Sequence, residues 1–497
     1  MLMSSALSRF VAADFGAGSG RVFSAVYDGD ALQISQLHRF PNEPVRLAGF
    51  LHWNFPRLFQ ELLHGLVCAA AEGPVRSIGV DTWGLDFGLI GEAGDLLALP
   101  GHHRDERNAL GMDHVLAHHS RERIFRSTAV QFLQINTLYQ LAVMQMQRPY
   151  LLEAARHLLF MPDLFHYFLT GVVASEYTIA STSQLLDAQS KVWDEPLIAD
   201  LQLPRRLFGD IVHPGSILGV LRADIVAAPG MSNGLADARV VAVGTHDTAS
   251  AVLGAPAQTG TPFAYISCGT WSLMGAEIAQ PIGNDKALRL NVSNEGGVLG
   301  SIRLLKNIMG LWILQECVRN WTAAGLDVTY ESLLRQAEEF RAFGSYLDPD
   351  DVGFLTPGDM VARIRRWCLE RGIQPPQLPG EVTRCILESL ACKYRMVLEQ
   401  LEDVLGYALP VVHLVGGGAN NRLLCQWTAN ATGRRVIAGP VEATVLGSMA
   451  MQLHAFGEVN GLSEMRDIIR RSARVTEYEP LDKDLWETQY GIFAAGV

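Results

Sequence analysis

The sequence predicts an α/β chain of two similar halves, each opening its sheet with a hairpin around a small polar turn. Three observations carry this expectation. RFVAADFGAGSGRVFSAVY, near the start, is an apolar run ending in Asp14, a glycine turn and then an alternating run. TPFAYISCGTWSLMG, from Thr261, repeats strand, glycine turn and strand. The length, 497 residues, is roughly three times a typical domain of ~150, which favours at least two folding units.

Taken in order, Val22, Ser24 and Val26 alternate with Phe23, Ala25 and Tyr27 before a turn at Asp28-Gly29, and ALQISQLHRF alternates again. Leu58, Leu62 and Leu66 then recur at helical spacing between Pro56 and Ala71, and Gly73-Pro74 leads into the buried-strand pattern SIGVDTWG. The opening order is therefore βββαβ. Residues 137–170 are expected to be largely helical, and GVVASEYTIAST to be a hairpin or loop. RVVAVGTHDTASAVLG reads as strand, polar turn and helix, and the domain boundary is placed at that turn, dividing the chain into 1–244 and 245–497. The apolar spacing from Arg303 to Trp321 predicts a helix, and ALPVVHLVGGGANNRLLCQWTANATG predicts a strand, a glycine turn and a helix. A final helix is expected from Ala443 to His454.

Composition narrows the function. The formal net charge is −12, and the basic run Arg363 to Arg366 reads as a solvated helix face, so nucleic acid is not an expected partner. Seven dispersed cysteines contain no CxxC and no zinc spacing, and buried thiols of a reducing compartment account for them. No basic leader with an apolar core and no stretch of ~18 uncharged apolar residues is present, so a cytoplasmic protein with no membrane partner is expected.

Several motifs carry chemistry. Gly16 to Gly20 is not a dinucleotide fingerprint, because Arg21 stands where glycine is needed and a strand-like run follows; no Gly-Lys pair exists for a Walker loop. Its small residues form either an ordinary hairpin turn or a nest of backbone N–H groups for phosphate oxygens, and Asp14 before it is suited to Mg²⁺, usually through water. Asp81, in GVDTWG, ends a buried strand and either lines a cleft or caps a helix. Asp247, in GTHDTAS, either caps a helix or takes the proton of a hydroxyl attacking phosphorus, and His246 beside it contacts a sugar or packs. Gly416 to Asn420 either makes a tight turn or lets a flat ring or phosphate approach the backbone. On the expected helix, Asn307 and Gln315 would lie about 12 Å apart, reaching two ends of one ligand or facing solvent.

In order and spacing DFGAGSGR, GVDTWGLDFG, GTHDTASAV, SCGTWSLMG, NEGG, LLKNIMGLWILQE, GGGANN and AGPVEATVLG resemble the FGGY carbohydrate kinases of the actin-like ATPase superfamily, over nearly the whole chain. The resemblance implies two ribonuclease H-like domains, each a central mixed sheet flanked by helices, around an interdomain cleft. It implies ATP-dependent transfer of the γ-phosphoryl group to the 1-hydroxyl of L-rhamnulose, with another ketose such as L-fuculose or xylulose, or a non-catalytic ATPase switch, as alternatives. It places Ala17, Gly18, Ser19, Gly20, Arg21, Thr270, Gln315 and Gly417 on ATP. It places Gly84, His246, Asp247, Thr248 and Asn307 on the sugar, with Asp247 as general base and Asp14 positioning Mg²⁺. Sugar and ATP are then the only small-molecule partners expected, for a monomer or small homo-oligomer.

Overall fold

The computed structural model describes residues 8–496, so the first few residues, part of the stretch read for a leader, lie outside it. Contacts divide the chain into two compact units. The first takes the chain up to Thr259, Ile278–Leu304 and Ala443–Ala473; the second takes Gly260–Glu277, Leu305–Glu442 and the chain from Arg474 onward. Residue 244, where the sequence reading divides the chain, lies inside the first unit, and so does Asp247.

The first unit is built on a six-stranded mixed sheet. Its strands are β1 (Arg9–Phe15), β2 (Ser19–Tyr27), β3 (Leu32–Pro41), β4 (Val75–Thr82), β5 (Ser216–Val220) and β6 (Arg239–Ala242), in the order β5-β6-β4-β1-β2-β3. β1, β2 and β3 form the expected antiparallel meander, while β4 runs parallel to both β1 and β6. Alternation along the strands assigns the faces. Val11, Ala13, Phe15, Ile78 and Val80 join one core with α1 (Phe55–Glu72) and α2 (Met161–Thr170); Leu62, Leu66 and Leu164 are fully buried there. Phe10, Ala12, Phe23 and Ala25 face the other core with α3 (Asp247–Leu253), α7 (Ala443–Ala455) and α8 (Gly461–Ser472). Asp14, Arg21 and Asp81 fall, by the same period of two, on this second face.

Small residues let α3 and α7 approach closely. A Cβ on Gly447 would lie 1.9 Å from the Ser250 carbonyl, and one on Gly254 would lie 1.9 Å from that of Ala443. Gln452 of α7 ties the pair to the sheet, donating to the Val11 carbonyl at 3.0 Å and accepting from Ser77 at 2.6 Å.

The second unit is built on successive neighbours of a seven-stranded sheet. They are β7 (Ala264–Cys268), β8 (Ser272–Ile278), β9 (Ile302–Ile308), β10 (Val411–Val415), β11 (Arg435–Ala438) and β12 (Thr476–Tyr478), ordered β9-β8-β7-β10-β11-β12. The unit takes β8 as far as Glu277 and β9 from Leu305 onward. β7 and β8 form the second expected hairpin, and β7, β10 and β11 are parallel. Its helices include α4 (Trp312–Ala323), α5 (Pro379–Leu405) and α6 (Arg422–Thr432).

Two expectations are corrected, and residues 137–170 are largely helical as expected apart from one strand. The run expected as one helix from Arg303 to Trp321 is β9, a turn and α4, so the 12 Å spacing of Asn307 and Gln315 does not hold. A short apolar run reads alike in a helix or a buried strand, and the break falls at Gly310, where a Cβ would sit 2.5 Å from Ser272 Oγ. Between 137 and 170, the strand His157–Phe160 interrupts the helices by pairing with Phe87–Ile90. α7 is not the last helix, because α8 and Lys483–Gly496 follow it. Six cysteines are buried and Cys68 is half-buried, all as free thiols, and no helix among the described residues is long and apolar enough to cross a membrane.

Candidate active site

The strand ends of the first unit collect carboxylates. Asp14 is the last residue but one of β1, and register places it opposite Arg21 on β2 and opposite Asp81 on β4. Strand neighbours in register lie about 5 Å apart with side chains on the same face, so the three form a row. Arg21 makes an ion pair with Asp14. No helix follows Asp81; the chain turns into the strand Phe87–Ile90, which removes the capping role. Asp81 is fully buried, and burial, then the charges of Asp14 and Asp247, push its carboxyl well above the ordinary range.

Asp247 opens α3, and its carboxylate accepts from its neighbour Thr248 at both N (2.6 Å) and Oγ1 (3.1 Å), so it caps no later N–H. The side chain keeps 29% exposure. Burial of the rest, then the charge of Asp14, raises its carboxyl to about 7 against the lowering effect of the Thr248 hydrogen bonds. A carboxylate poised there, open on one side, has the properties of a general base working near neutrality.

His246 is buried between charged partners. Arg303 donates to its Nδ1 at 2.9 Å, and since guanidinium only donates, Nδ1 is unprotonated and Nε2 carries the hydrogen. That Nε2–H faces Asp247 Oδ1 at 3.4 Å. Burial, then Arg303, holds the imidazole well below its usual pKa, consistent with this neutral tautomer. Gly84 backs onto the ring, where a Cβ would lie 3.3 Å from Nε2. Arg303 is itself wholly buried, donating to the Gly296 carbonyl at 2.8 Å and pairing with Glu295 at 3.3 Å.

Beneath them lies Glu176, which the sequence reading missed. It accepts from Thr178 N (2.9 Å) and Oγ1 (2.6 Å), Ile179 N (3.2 Å) and Thr245 N (3.3 Å), and from the Thr245 hydroxyl. Thr178 Oγ1 in turn receives the His246 N–H at 3.1 Å, so the segment 176–179 pins the backbone that presents Asp247. Its only local signal is an acid two residues before a threonine in ASEYTIAST, part of the segment expected to be a hairpin or loop. Glu295 stands in the NEGG motif, but nothing local pairs it with Arg303.

In the second unit, Thr270 sits in the turn between β7 and β8, and its hydroxyl donates to Gln315 Oε1 of α4 at 3.2 Å. The glycine run after β10 lies against the same turn. A Cβ on Gly418 would be 2.2 Å from Cys268 Sγ, whereas one on Gly417 would meet nothing within 4 Å. Gly418→Ala should therefore destabilise the fold by about 1–3 kcal/mol through overpacking and lower the thermal midpoint, while Gly417→Ala leaves the midpoint unchanged; equal midpoints for the two variants would contradict this packing. Asn307 is half-buried on β9. In the first unit, Ala17, Gly18 and Ser19 form the β1–β2 turn, closed by Gly16 N donating to the Ser19 carbonyl at 3.0 Å, with Gly18 exposed and Gly20 packed on the Phe40 ring.

The rhamnulokinase of Bacteroides thetaiotaomicron is 39% identical over 482 residues, 97% of this chain and 98% of that protein. The rhamnulokinase of Oceanobacillus iheyensis is 38% identical over 470 residues, 94% and 97% of the two chains. Among solved structures, a xylulose kinase from Lactobacillus acidophilus superposes with a TM-score of 0.80 at 14% identity, covering 98% of this chain and 97% of that one. A Plasmodium falciparum glycerol kinase with ADP gives 0.77 at 15%, covering 98% of each. Residues 11–254 match the N-terminal domain of the FGGY family of carbohydrate kinases and residues 264–456 its C-terminal domain, so with both domains matched, and with relatives this similar along nearly its whole length, the chain belongs to the FGGY family of carbohydrate kinases.

Proposed function

We propose that the chain transfers the γ-phosphoryl group of ATP to the 1-hydroxyl of L-rhamnulose, giving L-rhamnulose 1-phosphate and ADP, and that it does so in the cytoplasm. The observation that carries the chemistry is Asp247, a carboxyl raised to about 7 with one open side at the end of a buried strand row. The sugar is supported by the 38–39% identity to two rhamnulokinases.

In this reading Asp247 takes the proton of the 1-hydroxyl as that oxygen attacks the γ-phosphorus, and the bond between phosphorus and the β–γ bridging oxygen breaks to release ADP. The Nε2–H of His246 orients a sugar hydroxyl or the carboxylate, with Gly84, Thr248 and Asn307 completing the sugar contacts. Ala17, Gly18, Ser19, Gly20 and Arg21 lie along the phosphates, and Thr270, Gln315 and Gly417 contact nucleotide. The open space over Gly417 suits close approach of a ligand to the backbone. Asp81, a buried carboxylate that lacks hydrogen-bond donors and neighbours Asp14 in register, fits a hard divalent cation, and Asp14 would hold Mg²⁺ there. When bound, Mg²⁺ neutralises charge on the phosphates.

Formation of ADP with Mg²⁺-ATP, measured against L-rhamnulose, L-fuculose, L-xylulose, D-xylulose, L-ribulose and glycerol, tests the proposal. Selectivity for L-rhamnulose is expected; preference for another sugar would discard the substrate, and sugar-independent hydrolysis would discard the kinase. The pH dependence has a definite sign. A base with its pKa raised to about 7 is lost as pH falls through 7, so kcat/KM should drop about tenfold per pH unit below that point and level off above it. A flat profile between pH 5 and 7 would argue against Asp247 as the base.

A further inference from the structure

The strand-end row contains an acid, Asp81, to which the proposed reaction gives no role. Asp81 is fully buried, and neither of its carboxylate oxygens has a hydrogen-bond partner. Its parallel neighbour in register is Asp14, and Asp14 lies between it and Arg21, whose guanidinium is engaged with Asp14. Asp247, like-charged, and the more distant Arg21 are its other charged neighbours. No alternative structural duty is visible for Asp81: it caps no helix, closes no turn and makes no ion pair with Arg21, while the next residue, Thr82, is held by its own bond to the Thr245 carbonyl at 2.9 Å. A buried carboxylate without donors is retained at a cost to folding unless something positive enters to meet it.

The partner this geometry selects is a small hard cation. Two carboxylates face each other on adjacent strands about 5 Å apart, beside an Arg21 guanidinium already engaged with Asp14, and Mg²⁺ or Mn²⁺ is commonly held by one or two carboxylates while keeping several waters. We infer that Asp81 is a second carboxylate for the divalent cation that accompanies the nucleotide, shared with Asp14 across the β1–β4 register. The inference rests on the kinase reading for the identity of the cation's companion, but the two-carboxylate site is a property of the first unit alone.

The test uses the full-length protein and Mn²⁺ as probe, without sugar. Free Mn²⁺ is followed by electron paramagnetic resonance, with and without ADP, and thermal unfolding is recorded in chelator and in Mg²⁺. Asp81→Asn should bind Mn²⁺ about tenfold more weakly or worse, should lose most of the Mg²⁺-dependent rise in midpoint, and should unfold at a higher temperature than the native chain in chelator, because a buried unpaired charge is gone. Asp81→Ser, smaller, should share the loss of Mn²⁺ affinity. Native-like Mn²⁺ affinity in both variants overturns the inference, as does a midpoint of Asp81→Asn below the native one in chelator, which would make the carboxylate structural. Loss of Mn²⁺ binding in the variants, alongside a native protein that phosphorylates no sugar, would keep the cation site and retire the kinase reading.

Discussion

Asp247→Asn is expected to lower kcat by about 10²–10⁴-fold, the usual contribution of a positioned general base, which corresponds to ~3–5 kcal/mol of transition-state stabilisation. The substitution keeps size and shape, and the Asn side-chain oxygen still accepts from Thr248 as Oδ1 does now. What it removes is the ability to take a proton and one negative charge beside Asp14 and Asp81. The loss should therefore fall on turnover, with ATP affinity by titration calorimetry nearly unchanged. A variant within tenfold of native kcat would show that the proton leaves by another route.

Arg303→Met should have the largest effect on folding. The wholly buried guanidinium is the donor to His246 Nδ1 and to the Gly296 carbonyl, and the counter-charge to Glu295, which is itself only 4% exposed. Removing one partner of a buried ion pair costs about 3–5 kcal/mol, because the other loses its counter-charge in a low-dielectric setting. The sugar-binding side should suffer as well: with no donor at Nδ1 the imidazole is free to move its hydrogen there, and Nε2 then presents a lone pair to the Asp247 carboxylate. A marked fall in thermal midpoint together with a fall in kcat/KM is expected. An unchanged midpoint would mean that Glu295 is stabilised by other means.

Much of this arrangement is legible in the chain itself, and the reasons are local. The β1–β2 and β7–β8 hairpins are readable because apolar alternation and a glycine turn occur within fifteen or so residues of each other. Asp247 and Asp81 stand out because an acid at the end of an apolar strand needs a reason to be there. The reading fails where local signals are ambiguous. Ile302–Ile308 carries an apolar pattern that suits a helix as well as a buried strand, and only its place in the second sheet decides between them. His157–Phe160 becomes a strand because Phe87–Ile90, some seventy residues earlier, offers it a partner.

The α/β class, the paired hairpins and the positions of the acids and glycines proposed for the chemistry are written in the sequence, because these follow from periodicity and turn chemistry over a few residues. The tertiary structure alone decided that Asp14 and Asp81 share one face of a sheet, that Asp247 belongs to the same unit as both, and that Glu176, Glu295 and Arg303 hold the segment around His246. Each of those facts depends on strand register or on buried charge pairing between residues far apart in the chain, and the energy that enforces them, the cost of leaving a charge or a donor unmet in the core, does not exist until the core has formed.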